Sequence, residues 1–279
     1  MTTFQAIILG IIGGFSEFLP VGAGLHHKIA PFFLGWPELT GPALGAVALG
    51  TFLSAMIYYR HDWASILSSL LQVILFRKKP MTLDERLPFF LFLTTLPTLA
   101  ARVYLTDLLP PQLLTNMLVS AIILGLFALP LLFLDSWSRK NRGMFDWNWM
   151  DSLLIGIGAA TAIIPGFGII DGALLFGLFR NYNRESAAKF SIYAVTPLLA
   201  LTAHAQLKDL SFKAGPPMPD MSWLSFSTLV LISCLCGLLA IGGLMKQIER
   251  GTFRQYGVYR LVIASLIVAF AVWTNKGLN

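Results

Sequence analysis

Apolar runs with almost no charge recur along the whole chain, each closed by a proline, a glycine cluster or a short charged stretch. Six of them (42–59, 87–101, 113–134, 190–204, 224–244 and 259–273) approach or reach the length a helix needs to cross a bilayer, about 20 residues. The pattern predicts an all-α polytopic membrane protein: one membrane domain over 1–279, with halves of about 1–135 and 150–279 joined by the polar loop 136–149. The runs 87–101 and 113–134 read as an antiparallel pair around the DLLPP turn at 107–111. Residues 63–76 are too short to span and run into Arg77, Lys78 and Lys79, which makes them interfacial or re-entrant.

Two apolar stretches are interrupted in the same way. Residues 13–27 read GGFSEFLPVGAGLHH and residues 158–172 read GAATAIIPGFGIIDG. Each is stopped by a proline, passes through a glycine-containing tip and resumes as an apolar run. Pro20 laid on Pro165 places His26 opposite Asp171. Broken apolar segments at matching places in two halves of a membrane protein point to a binding site. Neither 4–20 nor 29–36 spans alone, so the first break reads as a re-entrant hairpin, and the second as its counterpart. Irregular backbone at that depth must be covered by protein or line a cavity.

Charge supports this layout. If Arg60 and the loops 77–86 and 139–142 face the cytoplasm, fourteen of the 20 Lys and Arg residues lie inside and five outside, with Arg260 within a helix. The bias holds only if both hairpins return to the side they entered from, which makes the halves an inverted-topology repeat. The long polar loop 205–222 then lies outside. Composition changes the picture little. At 56% hydrophobic and 12% charged the chain is unlike a soluble domain. The net charge of +6 follows from cytoplasmic Lys and Arg and implies no nucleic-acid partner. Cys234 and Cys236, two apart on one helix, diverge and suggest neither a disulfide nor a metal site. The N-terminus carries no cleavable-signal pattern, so the first segment is expected to stay as structure.

Candidate chemistry gathers at the tips. Glu17 lies in an apolar segment, where an ionisable group is costly and usually functional; the bland alternative is an ion pair with His26 or Arg184. A His26–Asp171 pair across the repeat suits a gate or proton relay as well as a structural hydrogen bond. His27 reads as an interfacial neighbour, and Asp171 as lining the site. Pro20, Gly22, Gly24, Pro165, Gly166 and Gly168 break helices and present backbone N–H groups where anions are favoured, so the four glycines are candidate ligand-binding positions. Arg184 is a further candidate ligand, although with Lys189 it sits among charges that set topology. Tyr256 and Tyr259 read as aromatic anchors. Arg260 reads as snorkelling to the interface or capping a broken helix end.

With these residues in view the chain resembles the undecaprenyl-diphosphate phosphatase, or bacitracin-resistance, family over most of its length. The resemblance rests on SEFLPVGAGLHH at 16–27, GTFLSAMIYYR ending at Arg60, TLPTLA around Pro97, IIPGFG at 163–168, the spacing Arg184…Phe190-Ser191…Pro197, and GVYRLVIA at 257–264. EFLPV followed five residues later by His, and PGF followed by Arg nineteen residues after its proline, are fairly specific together. It implies a bacterial inner-membrane protein of inverted repeats and two re-entrant hairpins, acting on a C55 polyprenyl diphosphate, and leaves a homodimer open.

The departures are equally informative. Where the family has a glutamate this chain has Gly13, keeping only Glu17 of the pair. Its two serines are Gly22 and Ala23, and its phosphate-clamping PGxSRSG loop ends here in Gly168, Ile169, Ile170 and Asp171. A glutamine corresponds to Ala48 and a glutamate to Lys189. Diphosphate hydrolysis needs positive charge on the phosphoryl oxygens and a positioned nucleophile or base. The expectation is therefore a member that binds or translocates a polyprenyl-phosphate-type lipid without hydrolysing it. Two alternatives stay open. One is an active phosphatase rewired around Glu17, His26 and Asp171, using Mg²⁺ or Ca²⁺. The other is a transporter of another solute, proton-coupled through His26 and Asp171.

Overall fold

The apolar runs close into helices whose ends are set by polar residues at the loop edges. The computed structural model describes residues 1–36, 38–39, 41–110, 116–208 and 221–274. In chain order these form α1 (Thr3–Phe18), α2 (Ala23–Leu34), α3 (Gly41–Tyr58), α4 (Arg60–Leu75) and α5 (Leu83–Ala100, continued by wider and tighter turns to Leu108). Then come α6 (Met117–Leu126), α7 (Ala128–Trp137), α8 (Trp149–Ala160), α9 (Ile169–Phe179), α10 (Arg184–Leu207), α11 (Trp223–Arg250) and α12 (Arg254–Thr274). Thr2, Thr82, Asn116, Asn148, Asn183 and Ser222 each accept a hydrogen bond from the backbone N–H three residues on, satisfying a donor the first turn leaves open.

Six stretches of the described residues are long and apolar enough to cross a membrane: Gly41–Tyr58, Leu83–Leu108, Met117–Trp137, Arg184–Leu207, Trp223–Glu249 and Arg254–Trp273. They correspond to the six runs read from the sequence. Helix α4 is not among them. It buries Trp63, Ile66 and Val73 and leaves Leu67, Leu71, Ile74 and Leu75 exposed.

Small residues decide which helices meet. On α1, Gly10 faces Ile232 and Gly14 faces Ser233 and Cys236 of α11; a Cβ at Gly14 would lie 2.6 Å from the Ser233 carbonyl oxygen. Without a hydrophobic force between helices in lipid, such small-residue faces let backbones approach and gain van der Waals contact. Gly50 of α3 uses the same Ser233 face, so α1 and α3 both pack on α11, and α3 also packs on α10. In the other half α8 packs on α5 and α9, and α9 on α10.

Two expectations about the middle of the chain are corrected. The runs 87–101 and 113–134 do not form a packed pair: α5 lies against α4 and α8, whereas α6 and α7 lie against α12. The reason is local complementarity. Gly156 of α8 leaves room for Pro97, and Thr98 Oγ1 donates to the Gly156 carbonyl at 3.3 Å. Nor is 113–134 one helix: the described part begins at Met117 and breaks at Phe127, three residues before Pro130, whose missing N–H cannot bond the carbonyl of Leu126. Most of the polar loop 205–222 lies outside the described residues.

The linker 136–149 is tied down by one carboxylate. Asp151, fully buried in the first turn of α8, accepts from Arg142 at 3.0 and 2.7 Å, from Arg180 Nε at 2.6 Å and from the Tyr182 hydroxyl at 2.7 Å.

Candidate functional site

The two broken segments meet. Gly22 and Gly166 both adopt left-handed backbone, at φ +87° and +92°, which only glycine takes without strain. They also touch: a Cβ on Gly22 would strike the Gly166 carbonyl at 2.5 Å, and one on Gly166 would lie 2.7 Å from the Ser120 carbonyl of α6. Gly24 packs on the Phe167 carbonyl and Gly168 on the backbone of Ala23. The tips are therefore interlocked by backbone. Two helices, α2 and α9, begin there. The start of α2 has no side-chain cap, whereas Asp171 Oδ2 accepts from the Gly168 N–H at 2.5 Å.

A cavity of about 310 Å³ opens beside the tips. Its polar lining is Glu17, His27, Thr98, Arg102, Thr106 and Thr202, with the backbone of Gly24 and Gly168; its apolar lining includes Leu44, Val47, Ala48, Ile163, Phe167 and Leu199. Glu17 is 8% exposed and makes no hydrogen bond or ion pair with any described residue. An unpaired carboxylate in such surroundings is expensive. The ion pair with His26 or Arg184 weighed for it from sequence does not form.

Of the other expected site residues, Gly24 and Gly168 line this cavity, and Gly22 and Gly166 hold the tips together. His26 and Asp171 do not face each other, which corrects the paired reading. Each is taken by α12. His26 Nδ1 donates to the Gly22 carbonyl at 2.9 Å, so in a neutral ring Nε2 accepts from the Tyr259 hydroxyl at 2.8 Å. Asp171 Oδ2 lies 2.5 Å from Arg260 Nη2, both side chains being fully buried. Arg260 therefore does not snorkel. Its Nη1 donates to the Phe127 carbonyl at 3.2 Å, at the break between α6 and α7, which is the capping role also read from the sequence. Phe167, whose ring centroid is 5.9 Å from the guanidinium, belongs to the cavity wall; Asp171 and Arg260 do not.

Arg184 is not among the residues that line the cavity, a second correction. It forms a two-pronged bond to buried Asp135, at 2.6 and 3.1 Å, and Asp135 also accepts from the Phe253 N–H. That network joins α7, α10 and the start of α12 through Asp135, near the end of its helix. Lys189 likewise pairs elsewhere, with Asp62 at 2.9 Å, and Tyr193 donates to the same carboxylate. Burial pushes the Asp62 pKa up, but the bonds from Tyr193 and Lys189 outweigh it and hold it below its ordinary value of 3.8.

From the sequence His27 reads as an interfacial neighbour and Arg102 as one of the five outside charges. His27 follows His26 by one residue, about 100° around α2, so one ring faces α12 while the next faces the cavity. Its Nε2 is buried without a hydrogen-bond partner among the described residues. Arg102 sits on the wide turn Ala101–Leu105 that follows α5, and its Nη1 donates to Thr202 Oγ1 of α10 at 2.9 Å.

Comparison with known proteins agrees with the resemblance carried by the motifs. Residues 6–266 match the family described as bacitracin resistance protein BacA. The chain is 33% identical to an undecaprenyl-diphosphatase of Moorella thermoacetica, covering 99% of this chain and 100% of that one. It is 29% identical to one of Myxococcus xanthus (96% and 89%) and 30% identical to one of Caldicellulosiruptor bescii (97% and 98%).

Proposed function

The chain belongs to the bacitracin-resistance BacA family of multi-pass membrane proteins, and from that premise we propose that it acts on a polyprenyl diphosphate in the Glu17 cavity. The observation that carries the reading is the unpaired Glu17 carboxylate, set beside the interlocked tips in a cavity whose other lining is mostly apolar. The undecaprenyl-diphosphatase relatives favour hydrolysis of the terminal phosphoanhydride. Glu17 serves there as the base or orienting carboxylate for water, and the backbone N–H groups at the start of α2 receive phosphate oxygens.

The site is rewired. Gly13, Gly22, Ala23 and Ile169 stand where the resemblance expects a glutamate, two serines and the clamping arginine, so neither the second carboxylate nor that arginine supplies charge. A divalent cation would use Glu17 with the substrate's own phosphate oxygens, since no described cluster of three or more His, Cys, Asp or Glu residues forms a cage. Such an ion would neutralise charge on the diphosphate. We read α1–α2 and α8–α9 as re-entrant hairpins of an inverted repeat within one membrane domain in the bacterial inner membrane. The packing of α1 on α11 and of α8 on α5 supports that reading.

One observation favours a second reading, binding or translocation without hydrolysis. His26 and Asp171 are engaged by Tyr259 and Arg260, which leaves Glu17 as the lone carboxylate of the cavity among the described residues. Phosphate release from C55 polyprenyl diphosphate by the purified protein, with and without Mg²⁺ or Ca²⁺, separates the two. Release that disappears in Glu17→Gln is the expected result. Lipid binding without release in the wild type replaces hydrolysis by the second reading.

A further inference from the structure

We propose that Arg102 and His27 are the phosphate-binding side chains of this cavity, Arg102 from the span Leu83–Leu108 and His27 from α2. The inference rests on the polyprenyl-diphosphate reading and names the groups that hold the headgroup.

Among the described residues Arg102 is the one Lys or Arg lining the cavity, and no described carboxylate pairs with it. It is also held in place. The turn Ala101–Leu105 is wider than an α-helical turn, a distortion that recurs at functional sites. The bond to Thr202 fixes one arm of the guanidinium between two spans and leaves most of its five N–H donors for a ligand. A planar fork of donors matches two oxygens of one phosphoryl group. A bland charge at a helix end would need neither the threonine nor the cavity wall.

His27 is the independent observation. Buried polar atoms are almost always hydrogen-bonded, yet its Nε2 finds no described partner while the ring lines the cavity. On its far side the nitrogen is closed off by apolar packing: a Cβ on Gly13 would lie 2.6 Å from Val47 Cγ1 and 3.6 Å from Nε2. A phosphate oxygen in the cavity answers this, accepting from the imidazole. Leu44, Val47 and Leu199 of the same cavity provide apolar surface for a hydrocarbon chain attached to that phosphate.

The test measures binding of a polyprenyl monophosphate, of the matching uncharged polyprenol and of inorganic phosphate to the full chain in detergent micelles. Arg102→Ala and His27→Phe should each weaken monophosphate binding about 10- to 100-fold, the value of a hydrogen bond to a charged group, and leave the polyprenol unchanged. Arg102→Lys should recover part of the loss. Competition by inorganic phosphate, lost in Arg102→Ala, would show that the shared phosphate chemistry suffices; its absence together with the lipid effect assigns the site to a lipid headgroup. Thermal unfolding of each variant shows whether it is folded. Monophosphate affinity within threefold of wild type in folded Arg102→Ala and His27→Phe overturns the inference. If Glu17→Gln still abolishes turnover in that case, the cavity reading stands; if it too has no effect, the cavity reading falls with it.

Discussion

Replacing Arg260 by Met tests the joint that α12 makes with the second tip. Asp171 and Arg260 are both fully exposed to protein and closed to solvent, 2.5 Å apart. Removing one partner of a buried ion pair leaves an uncompensated charge and costs about 3–5 kcal/mol, whereas removing both charges is often close to neutral. Asp171→Asn retains an oxygen that can accept from the Gly168 N–H, so that bond survives neutralisation. Each single variant, Arg260→Met or Asp171→Asn, should therefore lose about 3–5 kcal/mol, and the double variant should return to within about 1–2 kcal/mol of wild type. Unfolding can be followed by the fluorescence of the seven tryptophans in detergent micelles. At about 2 °C per kcal/mol for a chain of this size, the singles should melt roughly 6–10 °C early. A double variant that loses the sum of the two singles would refute the reasoning, because it would mean that the charges do not stabilise each other.

Other parts of the structure make separate predictions. Gly14→Val should prevent α1 from seating on α11, since its first carbon already lies 2.6 Å from the Ser233 carbonyl; a melting temperature equal to wild type would contradict that packing. Asp151→Ala strips Arg142, Arg180 and Tyr182 of their common acceptor and should cost about 3–5 kcal/mol, read in the same melting assay. Asp62 has a pKa below its ordinary 3.8 in the folded state, so its contribution is complete above that pH and is lost as pH falls through the lower folded value. The melting-temperature gap between wild type and Asp62→Asn should accordingly shrink in acid below pH 3.8, and a gap independent of pH would contradict it.

The spans were legible because apolar length alone marks them, and the tips because proline and glycine leave few conformations: Gly22 and Gly166 both carry the positive φ that a tight tip requires. The partners were not. Matching Pro20 to Pro165 places His26 and Asp171 at equivalent positions of a repeat, but equivalence does not say which side chains cross the gap. Tyr259 and Arg260, more than 85 residues from either, supply the contacts instead. One step along α2 decides that His27, rather than His26, reaches the cavity, and periodicity in a helix of twelve residues with its two histidines adjacent cannot show which of them faces inward. Arg102 was readable only as a charge beyond a helix; its role depends on Thr202, which is 100 residues away. Arg184 matched a family spacing, yet Asp135, 49 residues earlier, claims its guanidinium.

The most direct measurement is a structure of the full chain in lipid nanodiscs with a polyprenyl monophosphate bound. The phosphate is expected in the cavity between Glu17, Gly24 and Gly168, with its hydrocarbon chain leaving past Leu44 and Leu199. A phosphate found instead in the separate cavity lined by Asp62, Lys189 and Tyr193, with the Glu17 cavity free of lipid, would contradict the proposed site.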